Sequence, residues 1–478
     1  MSDITIIQPR HNYAPCDPNV EGHIYSCTSG WTAGSMLEGS GKVSVSYHDQ
    51  NLKPGFGEKS RFIGVSLLGA PYIPEAIKIQ QQLPTDTRFI VGGKVVDGLH
   101  KTDATGRVID RSQFDKLFSK DAVIGTNKIE LARAFGISPD EILEPEKTSL
   151  IPAYEKIPDE DMKKYMQREM SFYLSQGCKY ACNFCTATRT QMINGDDGAK
   201  ETRKVTEAYR LPPVIESDLK YLVARAKKLG LEELNFYLTN LDLFQTPAGL
   251  VEFTKIINRI TEINPGFKIN FRALATVQSF IDLHERRNGP EIIQNLVSAG
   301  LHTVGFGVDG WGKELWASIK KGHNNADDCI RAIEVARKNY GLTPELLMVF
   351  GHEKDTKETM QAALQVAEAM VKQHGAVIRP HLAKNVLPGN DHWLDPNNLD
   401  QVQFLLNNPQ YFQALDFTAR ASSLSHPDPE HRRIVNEGYD AMLQLKSNET
   451  KAVQPIDPEL SDTENQRRMM ENIGNYDH

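Results

Sequence analysis

Apolar residues in the first third of the chain fall into short runs of strand length. The alternation of apolar and polar residues in KVSVSYHDQN (42–51) predicts a half-buried strand. Three further runs are continuously apolar, as in parallel strands covered on both faces: RFIGVSLL (61–68), RFIVGG (88–93) and DAVIG (121–125). A helical spacing of apolar residues over 73–83 separates the first two runs. This rhythm predicts a doubly wound, Rossmann-like α/β domain, which we place at residues 1–145.

A second series of apolar runs follows a polar, proline-bearing connector. Its six predicted strands are MSFYLSQG (170–177), LNFYLTNLDLF (234–244), KINFRALATV (268–277), HTVGFGVDG (302–310), ELLMVFG (345–351) and AVIRPHLA (376–383). Helical patterns separate them, and Ser217 is the expected cap of the first long helix. The alternation predicts a partial (β/α)6 barrel over residues 146–395. Residues 396–478 carry no strand pattern and are expected to form a helical extension with a mobile polar tail.

Composition and charge restrict the class of protein. The chain has 478 residues, 40% of them hydrophobic and 24% charged, as in an ordinary globular protein. A formal net charge of −8 argues against nucleic acid as the main partner. We expect no membrane span, because no window holds 18 uninterrupted apolar residues, and no secretory signal at the amino terminus. The expected location is the cytoplasm, where the six cysteines remain free thiols.

Three of the six cysteines lie within eight residues, in SQGCKYACNFC. Cys178, Cys182 and Cys185 are separated by three and then two residues, so that three thiolates of one loop can each hold one iron of a four-iron, four-sulfur cluster. The fourth iron then keeps an open position, which a small molecule with an amine and a carboxylate can chelate. A structural zinc site is the alternative, but zinc normally takes four ligands and no second CxxC is present in the sequence.

The motif Cys178–Lys179–Tyr180–Ala181–Cys182–Asn183–Phe184–Cys185 resembles that of the radical S-adenosylmethionine (SAM) superfamily, with an aromatic residue before the third cysteine. The resemblance covers about residues 170–395. It implies that an electron from the cluster breaks a carbon–sulfur bond of SAM, and that the resulting 5′-deoxyadenosyl radical abstracts hydrogen from a small-molecule or peptide substrate. It also implies a reducing partner such as flavodoxin or ferredoxin.

The same resemblance implies SAM contacts at the ends of several predicted strands. The second strand ends in Thr239–Asn240 rather than the family's Gly-Gly-Glu, which leaves the contact to the amino group of SAM in doubt. Asp309 takes the place of the acidic residue near the ribose, although it is equally a candidate for an exposed turn residue. Arg379 is likewise a candidate for a strand cap. The full set of candidate SAM residues is Phe184, Thr239, Asn240, Asp309, Gly351 and Arg379.

A doubly wound domain ahead of such a barrel resembles the cobalamin-binding subclass of this superfamily. The resemblance covers about residues 1–130 and implies that Ser66, Leu68, Gly92 and Gly93 contact cobalamin. The Asp-x-His-x-x-Gly motif, which supplies a histidine to cobalt in other cobalamin proteins, is absent from the sequence. A vestigial domain that binds no corrin is the alternative, because a generic Rossmann-like fold has the same strands and glycines.

The resulting hypothesis is a cobalamin-dependent radical SAM enzyme that methylates an unactivated carbon or phosphorus centre. A radical SAM enzyme for rearrangement, cyclisation or oxidation is the first alternative. A non-catalytic sensor or electron carrier that binds cluster and corrin is the second. The polar segment 186–213 is longer than a usual strand–helix connection, and we interpret it as a lid over the substrate, with a plain surface insertion as the alternative.

Overall fold

Five parallel strands form the sheet of the amino-terminal part. The computed structural model describes residues 2–10, 26–103, 105–167, 169–180, 182–186, 193–194, 200–201, 207–384, 386–416 and 419–445. The first strands are β1 (Ile4–Gln8), β2 (Val45–Asp49), β3 (Phe62–Ser66), β4 (Arg88–Gly92), β5 (Lys101–Thr102), β6 (Val108–Asp110) and β7 (Val123–Ile124). The sheet order is β2-β1-β3-β4-β7, and β5 and β6 form a separate antiparallel pair. The order reverses at β1, so the crevice beyond the carboxyl ends of β1 and β3 is the switch point at which such sheets bind ligands.

Helices cover both faces of this sheet. They are α1 (Thr28–Glu38), α2 (Ile73–Gln82), α3 (Lys94–Asp97), α4 (Phe114–Leu117) and α5 (Lys128–Phe135). Residues that alternate along β3 join different cores: Phe62 packs with residues of α1 and α5, whereas Ile63 and Val65 pack with residues of α2, α3 and α4. Burial on both faces explains why the strands are nearly continuous apolar runs. The domain is therefore doubly wound, as predicted.

A curled sheet of six parallel strands follows α6 (Ile151–Lys156) and α7 (Asp159–Met166), in the order β8-β13-β14-β15-β16-β17. The remaining strands are β8 (Glu169–Phe172), β9 (Ser175–Gln176), β10 (Ile193–Asn194), β11 (Lys200–Glu201), β12 (Ala208–Tyr209), β13 (Glu233–Leu238), β14 (Lys268–Ala275), β15 (Leu301–Gly307), β16 (Thr343–Phe350) and β17 (Val377–Leu382). The helices are α8 (Pro212–Lys228), α9 (Pro247–Glu262), α10 (Val277–Glu285), α11 (Gly289–Ser298), α12 (Lys313–Ser318), α13 (Ala326–Tyr340) and α14 (Lys357–His374). This is a half-barrel, which confirms the predicted fold class.

Side chains on the concave side of the half-barrel form a chain of opposite charges. Arg272 of β14 pairs with Glu169 of β8, and its Nη1 lies 3.5 Å from Glu345 Oε2 on β16. Arg379 of β17 donates from Nε and Nη2 to Glu345 Oε1, at 3.2 and 2.7 Å. Alternate residues of the strands, such as Phe271 on β14, are instead buried against the helices. The charge network ties four of the six strands together inside the half-barrel.

Residues after β1 cover the free edge of β8. Ser26 Oγ accepts a hydrogen bond from Ser171 N at 3.0 Å, and Thr28 Oγ1 donates to Ser171 O at 3.3 Å. Nearby, the ring of Trp31 packs edge-on against Tyr154 and Tyr165. An open sheet edge carries unpaired backbone groups, and here side chains of the first domain satisfy them. The two domains are thus joined at the carboxyl-terminal edge of the first sheet.

The carboxyl-terminal part extends both domains. Helix α15 (Leu399–Asn407) buries Val402 and Leu405 in the core of the first domain, and α16 (Pro429–Leu445) packs beside α14. The predicted tail after residue 446 lies outside the described residues. Within the described part of the chain, no helix combines the length and apolar character that crossing a membrane requires.

Some element boundaries differ from the sequence-based expectation. Helix α8 begins at Pro212, so Ser217 lies inside the helix and is not its cap. Proline suits the first helical turn because the amide it lacks would have had no partner there. The predicted strand 234–244 ends at Leu238, and its last residues form a 3₁₀ turn at Leu243–Gln245. Strand β1 and helix α1 were not predicted.

Candidate active site

The three clustered cysteines lie on a loop that leaves the first strand of the half-barrel. Gly177 has φ of +106°, a left-handed conformation that glycine adopts without strain, and it turns the chain into Cys178. Cys178 is buried, whereas Cys182 and Cys185 are partly exposed. A hydrogen bond of 3.2 Å from Cys185 N to Cys182 O closes the end of the loop. The strand end and the turn together bring the three thiols to the carboxyl edge of the barrel.

Neighbouring connections hold this cysteine loop from three sides. After β13, Gln245 Nε2 donates to Gly177 O at 2.8 Å, and its Oε1 accepts from Lys179 N at 3.1 Å. After β15, the carbonyls of Ser318 and Ile319 accept from Asn183 Nδ2 and N, both at 3.1 Å. The amide of Asp391, after β17, donates to Asn183 O at 3.1 Å. Hydrogen bonds from the protein therefore hold the loop on several sides. The sequence motif alone gave no sign of Gln245 or Asp391.

The donor set of this loop suits an iron–sulfur cluster, because soft thiolates are its usual ligands and each thiolate of a cubane binds a different iron. Among the described residues, no three His, Cys, Asp or Glu side chains converge on a point where they could hold a single ion. Burial raises the pKa of Cys178 to about 12 and of Cys182 to about 11. Binding of the cluster must therefore release protons from these thiols.

Two candidate SAM residues lie close together: Phe184 on the cysteine loop and Gly351 after β16. Phe184 packs on the ring of His352, with ring centroids 5.0 Å apart. Gly351, the residue after β16, donates its amide to Asp355 and accepts through its carbonyl from His426 Nε2 at 2.6 Å. Burial lowers the pKa of His352 to about 4, so its ring is neutral at pH 7, and its buried Nε2 has no hydrogen-bond partner among the described residues. His352 follows Gly351 directly and is a functional candidate that the sequence interpretation missed.

The other candidate SAM residues already make protein contacts. Thr239 Oγ1 donates to Phe172 O at 3.3 Å. With its amide oriented to satisfy both neighbours, Asn240 donates to Leu238 O at 3.0 Å and accepts from Leu243 N at 2.7 Å. Arg379 belongs to the charge network on the concave side of the barrel. Asp309 is buried, not exposed, and pairs with Lys321. Their role toward SAM stays a prediction.

The candidate cobalamin residues line the carboxyl edge of the first sheet. Ser66 Oγ lies 2.8 Å from Ser29 Oγ, and Leu68, just beyond β3, is 52% exposed although it is a large apolar residue. Gly92 backs onto Gly125, and Gly93 packs so tightly on the backbone of Leu67 that a side chain there would clash with its carbonyl. An exposed leucine beside bare backbone at a switch point suits a flat, largely apolar ligand.

The edge with these residues faces the cysteine loop. Protein surrounding the Lys94 amine, directly after Gly93, lowers its pKa, while the charge of Cys185 acts in the opposite direction. The backbones of Gly98 and Gly389 approach so closely that a Cβ on Gly98 would lie 2.2 Å from Gly389 N. Gly389 belongs to the Pro-Gly pair after β17. The carboxyl edges of both sheets therefore lie close to each other, and the cysteine loop lies near the predicted corrin residues.

A Gly98→Ala substitution is expected to destabilise the protein by about 1–3 kcal/mol, because a methyl group at this position collides with backbone that cannot move aside as a side chain can. Chemical denaturation of the wild type and the variant measures the change. Gly322→Ala is the matched control, since a Cβ on Gly322 meets no atom within 4 Å. Equal midpoints for the two variants would contradict the close approach of the two domains.

A half-buried carboxyl group lies at the start of the cysteine loop. Glu207, just before β12, accepts a hydrogen bond from Ser175 Oγ, and its other oxygen has no partner among the described residues. Burial raises the pKa of Glu207 from 4.5 to about 7. The folded state therefore binds this proton more tightly than the unfolded chain, and the associated stability is lost as the pH rises from about 4.5 through 7.

Ionisation of Glu207 is expected to cost the wild type up to about 3 kcal/mol of stability between pH 5 and pH 8. The Glu207→Gln variant is expected to lack this loss, because glutamine resembles the protonated acid at every pH. Denaturation midpoints of wild type and variant at both pH values measure it. An identical pH dependence in the two proteins would show that Glu207 ionises normally in the folded state.

Comparison with known proteins agrees with this arrangement. Residues 172–367 match the radical SAM superfamily, and this domain of the chain belongs to that superfamily. No curated protein is detectably similar in sequence. This match, the half-barrel and the cysteine loop together indicate the class of the radical SAM enzymes.

Solved structures with the same fold include two radical SAM proteins that bind cobalamin. The radical SAM methyltransferase TsrM from Kitasatospora setae, with cobalamin and a [4Fe-4S] cluster bound, is 14% identical with a TM-score of 0.51 over 82% of this chain and 77% of TsrM. The cobalamin-dependent SAM radical enzyme OxsB, with aqua-cobalamin and SAM bound, is 13% identical with a TM-score of 0.55. That match spans 87% of this chain but only 56% of OxsB. At these identities the likeness concerns the fold.

Proposed function

We propose that this protein is a cobalamin-dependent radical SAM enzyme that methylates an unactivated carbon or phosphorus centre of a small molecule or peptide. The observation that carries the proposal is that the cysteine loop of the half-barrel lies close to the carboxyl edge of a doubly wound sheet. A cluster and a corrin held at these two places would be neighbours. The structures of TsrM and OxsB, in which cobalamin is bound, support this interpretation.

The protein's own residues would bind and orient the reacting groups. Cys178, Cys182 and Cys185 would hold the cluster. Phe184, Gly351 and His352 would border SAM, where the bare Nε2 of His352 can accept a hydrogen bond. When bound, the cofactors supply one-electron cleavage of a carbon–sulfur bond of SAM and a carrier for the methyl group.

On the first sheet, the apolar face of Leu68 and the bare backbone of Gly92 and Gly93 would support the corrin, with Ser66 at the end of β3. The segment 186–213 would cover the substrate, although most of it lies outside the described residues. The charge network on the concave side, which includes Arg379, would close the barrel beneath the substrate.

Anaerobic reconstitution with iron, sulfide and cobalamin tests the proposal. Incubation with SAM and a strong one-electron reductant is expected to yield 5′-deoxyadenosine, and the protein is expected to retain cobalamin through gel filtration. A Leu68→Asp variant should lose cobalamin but keep the cluster, because it places a charge against the apolar corrin. Absence of 5′-deoxyadenosine would favour a non-catalytic sensor. Cluster assembly without retained cobalamin would favour a vestigial first domain.

A radical SAM enzyme without methyl transfer is the second candidate. OxsB, whose fold matches as well as that of TsrM, is described as a radical enzyme and not as a methyltransferase. SAM labelled in its methyl group distinguishes the two, since methylation transfers the label to the product. Turnover with unlabelled product and formation of 5′-deoxyadenosine would favour rearrangement, cyclisation or oxidation.

A further inference from the structure

Two strained residues lie in the connection after β15. Among the described residues, Asp309 with φ of +51° and Lys320 with φ of +55° are the non-glycine residues with a left-handed backbone. Such a conformation costs of order 1–3 kcal/mol and persists only where the surrounding structure imposes it. Asp309 forms a contact with Lys321, the residue directly after Lys320.

This contact is a buried ion pair. Lys321 Nζ lies 2.5 Å from Asp309 Oδ2, and the two side chains are 5% and 9% exposed. Gly307, the last residue of β15, leaves the space for it, because a Cβ there would lie 2.9 Å from Nζ and 3.2 Å from Oδ2. Burial lowers the pKa of Lys321, but the charges of Asp309 and Cys182 outweigh it and raise the pKa to about 12. The ammonium group is therefore charged at every physiological pH.

The pair is attached directly to the cysteine loop. The segment that ends in Lys321 binds Asn183 through the carbonyls of Ser318 and Ile319. Next to it, Lys320 pairs with Asp391 at 2.8 Å, and the amide of Asp391 binds the carbonyl of Asn183. Because Asn183 follows Cys182 in the chain, these bonds place the segment that carries Lys321 next to the cysteine loop. The charges of Lys321 and Cys182 accordingly interact, so the pair brings one cation near the cluster ligands.

We propose that the Asp309–Lys321 pair sets the reduction potential of the cluster. The proposal rests on the proposed function, since it requires that the three cysteines bind a cluster. The cluster accepts one electron from an external low-potential, one-electron carrier, and no bond forms or breaks in that step. The added negative charge is stabilised by a cation in a medium of low dielectric constant and destabilised by an anion. Lys321 therefore raises the potential, and Asp309 limits the rise.

Redox titration of the reconstituted cluster, followed by electron paramagnetic resonance, tests the proposal. Lys321→Gln is expected to lower the potential, with at least a tenfold change in the ratio of reduced to oxidised cluster at fixed potential, which is 59 mV for one electron. Asp309→Asn is expected to raise it, because the cation then has no counter-charge. Asparagine tolerates the left-handed backbone at this position, so this variant is matched in conformation.

Opposite shifts separate an electrostatic role from a merely structural one, which would move both variants in the same direction. Lys313→Gln, which removes a charge from an exposed position of α12, should leave the potential unchanged. If Lys321→Gln fails to assemble a cluster, Asp309→Asn and the double variant decide, and the double variant should lie between the two single shifts. Equal potentials in wild type, Asp309→Asn and the double variant would overturn the proposal. Failure of the wild type to assemble any cluster would instead contradict the proposed function.

Discussion

Replacing Cys182 with alanine is expected to abolish the iron–sulfur absorption of the reconstituted protein and all formation of 5′-deoxyadenosine. Cys182 is one of three thiols on a loop held by Gln245 and by the connections after β15 and β17. With two thiolates left, a second iron lacks a protein ligand, and the sequence has no further cysteine between residues 28 and 328 apart from Cys178 and Cys185. Because no cluster is expected to form, activity is expected to fall to background.

Cys329→Ala is the matched control for this prediction. Cys329 is a buried free thiol of α13, and its removal takes away the same atom without touching the cysteine loop. The control is expected to retain its iron and sulfide content, its absorption and its activity. Iron analysis and optical spectra of both variants provide the measurement. A cluster of normal absorption in Cys182→Ala would show that this residue is not a ligand.

The strands and the cysteine motif were predictable because each depends on local sequence. Runs such as 61–68 and 88–93 are buried on both faces, so nearly every residue of the strand is apolar. The motif of Cys178, Cys182 and Cys185 requires only the right spacing along one loop. The six strands of the half-barrel are also predictable from local sequence, although the strand predicted at 234–244 ends at Leu238 in the structure.

Other features depend on contacts between distant parts of the chain and had no local signal. Helix α1, with sequence TSGWTAGSMLE, is rich in small and polar residues, because its buried face packs closely on the barrel through Trp31. Asp309 resembled a turn residue, since neither its partner Lys321 nor the space left by Gly307 can be inferred from its neighbours. His352 is a candidate only because burial keeps its ring neutral and leaves Nε2 bare.

A fully buried ion pair lies beside the end of β8, from which the chain leads into the cysteine loop. Arg210 and Asp218 are both 0% exposed, and Arg210 Nη2 lies 2.5 Å from Asp218 Oδ2. Arg210 also donates to Tyr173 O at 3.1 Å and to Thr148 O at 2.7 Å. Asp218 accepts from Ser149 Oγ at 2.6 Å. One pair therefore links the domain connector, the end of the first barrel strand and helix α8.

Asp218→Ala is expected to destabilise the protein by about 3–5 kcal/mol, because it leaves the guanidinium of Arg210 buried without a counter-charge. Glu368→Ala is the control: it removes a carboxylate that pairs with Lys372 at the surface of α14, where both side chains are well exposed, and should cost about 0–1 kcal/mol. Urea denaturation of the two variants measures the difference, and similar midpoints would contradict the burial of the pair. Since the double variant Arg210→Met, Asp218→Leu leaves no charge unpaired, it should recover much of the lost stability, which a role limited to packing volume would not explain.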